Sequence, residues 1–202
     1  MKRKLKILIS GGGTGGHIFP AIAIANAIKE KQPDVEIQFV GALGRMEMEK
    51  VPLAGFPITG LWISGFQRKL TIRNLSFPAK VLSSIIKANR IITMFNPDIV
   101  IGTGGYASGP LLYVASKKKI PTLIHEQNAF PGVTNKLLAK SVTKVCVSYP
   151  EMEKYFPNEK IVITGNPIRK EIQNLTPTKK ESLEFFNLKQ TKKTLLIIGG
   201  SQ

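Results

Sequence analysis

Residues 6–30 read KILISGGGTGGHIFPAIAIANAIKE. Lys6–Ser10 is a near-continuous apolar run, the pattern of a strand covered on both faces. Glycines follow at once. The apolar stretch after them has helical spacing and predicts a helix over Pro20–Lys31, beginning near Phe19–Pro20. Strand, glycine turn and helix in that order begin a βαβ unit. The alternation continues outward from this stretch. Strands are predicted at Val35–Val40, Ile58–Ile63, Asp98–Ile101, Thr122–His125, Lys144–Ser148 and Lys160–Thr164. Helices are predicted near Arg45–Lys50, Phe77–Phe95, Gly109–Lys118, Thr134–Lys140 and Glu151–Phe156. Such spacing means an α/β fold with a doubly wound parallel sheet.

After Gly165 the texture changes. Residues 166–193 (NPIRKEIQNLTPTKKESLEFFNLKQTKK) are polar, carry Pro167 and Pro177, and hold one predicted helix near Lys179–Leu188. They read as a linker. KTLLIIGGSQ, at 193–202, reads as a new buried strand and a glycine turn. The expected organisation is a domain over 1–165, a linker over 166–193, and the opening of a second α/β domain over 194–202.

The 202 residues, 43% of them hydrophobic, suffice for a buried core. Lys and Arg number 29 against 13 Asp and Glu, a net charge of +16. Such a field favours phosphate-bearing partners: nucleic acid, anionic lipid or a nucleotide. Nucleic acid is the weakest of these, since aromatics are 7% and no helix-turn-helix, zinc-knuckle or RNP pattern occurs. The single cysteine, Cys146, cannot build a disulfide framework and points to a reducing compartment. No apolar run approaches the ~20 residues of a membrane span. The stretch after MKRKLK is too short for a signal peptide, so a soluble cytosolic chain is expected. The charge is also uneven. Between Glu49 and Asp98 there is no acid, yet Lys50, Arg68, Lys69, Arg73, Lys80, Lys87 and Arg90 alternate with Trp62, Phe66, Leu70 and Leu75. That mixture suits a surface meeting anionic headgroups, or a solvated helix face beside a core.

Gly11, Gly13 and Gly16 satisfy G-x-G-x-x-G, whose amides and helix start can cradle a phosphate. A dinucleotide site also wants an acid at the end of the second strand, and QFVGALG at 38–44 supplies none. Gly16-His17-Ile18 is not the Gly-Lys-Ser/Thr of a nucleotide-triphosphate loop. A second glycine turn, IGTGGYASGP at 101–110, follows another strand. Two such turns on one sheet face one crevice, which fits a pyrophosphate or two phosphorylated substrates. The polar residues at the same edge are His17 and the run His125-Glu126-Gln127-Asn128. A helix start favours neutral histidine, the form a general base needs. No Cys/His spacing suits a metal, and Ser108 lacks a nucleophile elbow.

GGGTGGHIFPAIAIA, GTGGYASGP, HEQNAFPGVTNK, TGNPIR and GGSQ resemble, in order and spacing, the MurG family of peptidoglycan glycosyltransferases. The resemblance implies the GT-B architecture, two Rossmann-like domains facing a cleft, of which this chain carries the first. It implies transfer of GlcNAc from UDP-GlcNAc to the MurNAc C4 hydroxyl of lipid I, with inversion, to give lipid II. It implies no cofactor or metal. UDP-GlcNAc contacts fall on Thr14, Gly15, Gly16, Asn128, Arg169 and Ser201, and the candidate base on His17. Gly104, Gly105, Tyr106 and Ser108 match the acceptor pyrophosphate region. Trp62, Phe66, Arg68, Lys69, Leu70 and Arg73 match a membrane-docking patch. The implied partners are lipid I, an anionic membrane and other cell-wall synthesis and division proteins, at the cytoplasmic face of the bacterial inner membrane. The 202-residue chain is expected to be inactive alone. A non-catalytic module binding lipid-linked pyrophosphate is the alternative.

Overall fold

The computed structural model describes residues 3–65, 75–174 and 176–198. It divides into a compact unit over Met1–Pro167 and a second over Ile168–Gln202. The first unit is built on β1 (Lys6–Ser10), β2 (Glu36–Ala42), β3 (Ile58–Leu61), β4 (Ile99–Gly102), β5 (Thr122–Glu126), β6 (Lys144–Val147) and β7 (Ile161–Ile163). All pair in parallel, in the order β3-β2-β1-β4-β5-β6-β7. The connecting helices are α1 (Gly15–Lys31), α2 (Glu47–Leu53), α3 (Phe77–Phe95), α4 (Ser108–Lys117) and α5 (Val133–Leu138).

The apolar runs bury both faces, as their continuity requires. Ile7, Ile9, Ile37, Phe39 and Ile101 pack on Ile18, Ala21, Ile22 and Ala25 of α1 and Val51 of α2. The alternate residues Leu8, Val40, Val100, Ile124 and Val145 pack on Ala88, Ile91 and Ile92 of α3 and on Leu111, Leu112 and Ala115 of α4. Strand order reverses between β1 and β4, and the crevice beyond their carboxyl ends is where ligands of doubly wound sheets bind.

Three readings are corrected. α1 begins at Gly15, not at Phe19–Pro20, because the Thr14 carbonyl already accepts the His17 and Ile18 amides at 3.1 and 3.2 Å. Pro20 lies inside the helix and cannot donate to the carbonyl four residues back. Glu151–Phe156 is a turn rather than a helix. Met152 and Phe156 are buried four residues apart, and that spacing imitates a helix, but Glu151 has φ +60° and only one turn closes on the Met152 carbonyl. The strand expected from residue 194 is not formed over 194–198, where no ladder partner lies beside it and Leu195–Ile198 are exposed. The second unit holds α6 (Lys170–Gln173) and α7 (Lys179–Phe185). A capping box starts α7: the Thr178 hydroxyl accepts from the Glu181 amide at 3.3 Å, and the Glu181 carboxylate accepts the Thr178 amide.

Candidate functional site

The two glycine turns leave β1 and β4 side by side and interlock. The Thr103 amide donates to the Ser10 carbonyl at 2.9 Å, and its hydroxyl to the His17 carbonyl at 2.7 Å. Gly104 and Gly105 have φ +100° and +81°, a conformation that glycine adopts without steric cost. A Cβ on Gly105 would overlap the Gly12 carbonyl oxygen, and one on Gly104 would lie 3.0 Å from His17 Nε2. Glycine is therefore needed in the second turn for the first turn and His17 to reach it. Gly13, at φ +88°, lies against the Tyr106 ring, where an added Cβ would meet Cε1 at 2.9 Å.

His17 is half-buried between the turns, with Nδ1 3.1 Å from the Thr14 hydroxyl oxygen. Burial lowers its pKa below the ordinary imidazole value, against the opposing pull of Glu126, the Gly12 carbonyl and Glu47. The ring is thus neutral at pH 7. Tyr106 keeps its phenolic proton, because burial raises its pKa and outweighs the nearby Arg45. Neither α1 nor α4 has an acid in its first turn, so the positive ends of both helices are open to an anionic group.

Two buried carboxylates fix this edge from behind. Glu126, at the end of β5, accepts the Asn128 amide and side chain through Oε1, both at 3.1 Å. Its Oε2 accepts the Gly132 amide at 3.1 Å and Asn135 Nδ2 at 2.9 Å. Asn128 is left at the surface with its side chain fixed by Glu126. Gln127 turns inward and donates to the Thr103 carbonyl at 2.9 Å, tying β5 to the second turn. Glu47, fully buried at the start of α2, accepts the Gly13 amide at 3.2 Å and the Ala42 amide at 2.9 Å. The sequence reading missed Glu47 and Asn135. Their only signal is a polar residue inside an otherwise buried helix face.

Thr14, Gly15, Gly16, His17, Gly104, Gly105, Tyr106 and Asn128 all lie at this carboxyl-end edge. Ser108 is different. It is fully buried and its hydroxyl donates to the Gly105 carbonyl at 2.8 Å, bracing the turn. His125 is also turned away, with Nε2 3.0 Å from the Gly165 carbonyl and a pKa lowered by burial. Arg169 belongs to the second unit, where it precedes α6. Ser201 lies outside the described residues, as do Phe66, Arg68, Lys69, Leu70 and Arg73. Trp62 is half-exposed, with Lys80 Nζ 5.8 Å from its ring centre. Among the described residues, no three His, Cys, Asp or Glu are grouped to hold a metal, and no helix is long and apolar enough to cross a membrane.

Relatives match along almost the whole chain, and two of them illustrate the likeness. Both are named UDP-N-acetylglucosamine–N-acetylmuramyl-(pentapeptide) pyrophosphoryl-undecaprenol N-acetylglucosamine transferase. The one from Christiangramia forsetii is 55% identical, covering 100% of this chain and 55% of the relative. That from Cytophaga hutchinsonii is 56% identical, covering 99% and 54%. The chain spans about half the length of these relatives. Among solved structures, Acinetobacter baumannii MurG superposes with a TM-score of 0.69 at 30% identity, over 86% of this chain and 50% of that one. A Neisseria meningitidis UDP-GlcNAc 2-epimerase bound to UDP-GlcNAc shares the fold, with a TM-score of 0.62 at 16% identity, over 91% and 54%. The glycosyltransferase family 28 N-terminal domain matches residues 7–147, from β1 to the end of β6, and so takes in both glycine turns, Glu47 and the Glu126 loop. By that match the chain belongs to the glycosyltransferase family 28 N-terminal domain family.

Proposed function

We propose that this chain is the acceptor-side half of an inverting glycosyltransferase that moves GlcNAc from UDP-GlcNAc to the MurNAc C4 hydroxyl of lipid I, giving lipid II. The observation that carries the reading is the pair of interlocked glycine turns with a neutral histidine between them, in a chain whose 55%-identical relatives bear that transferase name. In the displacement, the C4 oxygen attacks the anomeric carbon and the bond to the UDP phosphate breaks with its electron pair. His17 takes the hydroxyl proton. With Nδ1–H donated to the Thr14 hydroxyl oxygen, Nε2 holds the lone pair. The amides of the second turn and the open end of α4 receive the acceptor pyrophosphate, beside Gly104, Gly105 and Tyr106. Within the first unit, Thr14, Gly15, Gly16 and Asn128 face the donor; the assignment of Arg169 and Ser201 to the same donor rests on the family resemblance alone. Glu47 argues against a nicotinamide site. It is the first acid after β2, and its carboxylate is spent on two backbone amides rather than turned to a ribose.

Lipid-linked substrate implies a membrane surface, at the cytoplasmic face of the cell membrane, with cell-wall and division proteins as neighbours. α3 supports this reading. Its inner stripe, Ser84, Ala88, Ile91 and Ile92, is buried, while Leu82, Ile86 and Met94 are 61%, 63% and 75% exposed beside Lys87 and Arg90. An apolar cleft of about 400 Å³ between α3, α4 and α5, lined by Phe77, Val81, Tyr106 and Tyr113, adjoins the second glycine turn. The test is a chimera joining residues 1–198 to the C-terminal half of the Christiangramia forsetii relative, assayed with labelled UDP-GlcNAc and a lipid I analogue. Lipid II formation by the chimera, and none by the 202-residue chain, is expected. A folded chimera that binds the lipid without transfer would instead favour the non-catalytic module.

A further inference from the structure

We propose that Glu47 is the positioning residue of this site, a buried carboxylate that clamps the first glycine turn to the end of β2 and places its charge near His17. Two glycines make room for it and a third bonds to it. A Cβ at Gly12 would fall on the Glu47 carboxylate, one at Gly41 would strike its Cγ, and Gly13 donates its amide to Oε2. Part of the glycine-rich signature therefore exists to seat a side chain of the protein rather than a phosphate. Gly13 N–H, pointed inward, is removed from the set of amides open to a ligand. The other carboxylate oxygen takes the Ala42 amide at 2.9 Å, so one side chain fixes the carboxyl ends of two neighbouring strands. Hydrogen bonds to a carboxylate are stronger than those to a neutral acceptor, and a buried carboxylate with both oxygens bonded has little freedom to move.

The groups whose charge or dipole bears on His17 are Glu126 from the end of β5, the Gly12 carbonyl and Glu47 from α2, all favouring its protonated form. Arg45, two residues before Glu47, and Tyr106 lie at the same edge. Glu47 partly offsets what burial does to the ring and keeps it a stronger base than burial alone would allow.

In the 202-residue chain, amide exchange followed by NMR should show Gly13 protected relative to the exposed Gly16. Glu47→Gln keeps one acceptor oxygen where the carboxylate has two, so the Gly13 or the Ala42 amide should exchange faster, and the His17 ring titration should move to lower pH. Glu47→Asp keeps the charge but is one methylene shorter. It should hold the titration near that of the parent while Gly13 still exchanges faster. In the chimera, Glu47→Gln should lower kcat with little change in KM and carry the acid limb of the rate profile to lower pH. That kinetic arm rests on the reading of His17 as the base, whereas exchange and titration do not. If His17→Ala leaves kcat intact, the base reading fails and the clamp is judged on the NMR arms alone. Gly13 exchanging as fast as Gly16 in the parent chain overturns the clamp even if the variants do not fold. An unmoved His17 titration in a folded Glu47→Gln chain overturns the electrostatic part.

Discussion

Gly105→Ala tests the interlock of the two turns directly. Gly105 has φ +81°, and an L residue held in a left-handed conformation costs about 1–2 kcal/mol. The new Cβ would also meet the Gly12 carbonyl, with its carbon at 3.0 Å. That neighbour is backbone, not the end of a flexible side chain, so the two turns must part. Overpacking of this kind costs about 1–3 kcal/mol. Together they give about 2–5 kcal/mol, and at about 2–4 °C per kcal/mol for a domain of this size the melting temperature should fall by roughly 4–20 °C. Gly132→Ala is the matched control. Gly132 has φ −64°, nothing lies within 4 Å of its added Cβ, and its bond to Glu126 is made by the backbone amide. The small gain from a stiffer unfolded chain is offset by alanine's poorer fit at the helix cap, so the change should stay within about 0.5 kcal/mol. Thermal and urea unfolding of the parent and both variants, followed by circular dichroism, supplies the comparison. Equal stability of the two variants would refute the contact between the turns.

In the chimera, His17→Ala should lower kcat by about 10²–10⁴-fold, the usual loss for a general base, with a near-parent melting temperature; the reverse pattern would make the residue a structural brace. The rate should rise with pH through a His17 midpoint below 6.5, since the neutral ring is the active form, and an acid limb centred above 6.5 would contradict the buried setting. Stability should follow the same sign. Both His17 and His125 have folded-state pKa values below the unfolded value of 6.5, so the unfolded chain binds more protons, and stability complete above about pH 6.5 is lost as pH falls through the folded values. Urea midpoints that rise between pH 7 and pH 5 would refute this. Lys87→Glu with Arg90→Glu should weaken binding to anionic vesicles by at least about 1 kcal/mol per lost cation and leave unfolding unchanged. Unaltered vesicle binding would show that the outer face of α3 is merely solvated.

The sheet was legible in the sequence because strands covered on both faces are runs such as KILIS and DIVIG, which few other structures bury. Each strand reading lies within two residues of the observed element, except that no strand forms over 194–198, where the apolar side chains stay exposed. Helix ends were harder. Pro20 carries a start signal that the Thr14 carbonyl overrides five residues earlier, and Met152 with Phe156 imitates a helix that one turn satisfies. At the site, the glycines announced where the backbone must come close, but not to what. Gly11, Gly13 and Gly16 read as a phosphate cradle, whereas the space beside Gly12 and Gly41 is filled by Glu47. That partner is remote in sequence from Gly12, and no local pattern links them.

The two buried acids also explain how a crevice suited to an anion tolerates carboxylates beside it. Glu47 and Glu126 spend their oxygens on inward-facing amides: Gly13 and Ala42 for one, Asn128 and Gly132 for the other. Of these donors the buried Ala42 amide would otherwise be left unsatisfied, at a cost of about 1–3 kcal/mol. What remains facing outward is the opposite in sign. The first turns of α1 and α4 carry no acid, and the second turn presents Gly104 and Gly105 between them. Negative charge is thus held behind the turns, where it fixes geometry and steadies the proton affinity of His17, and positive potential is left in front. The proposed transfer, in which a histidine takes a proton beside a bound pyrophosphate, needs both signs within one short span. Interlocked turns backed by buried acids supply them with no charged side chain reaching from either turn.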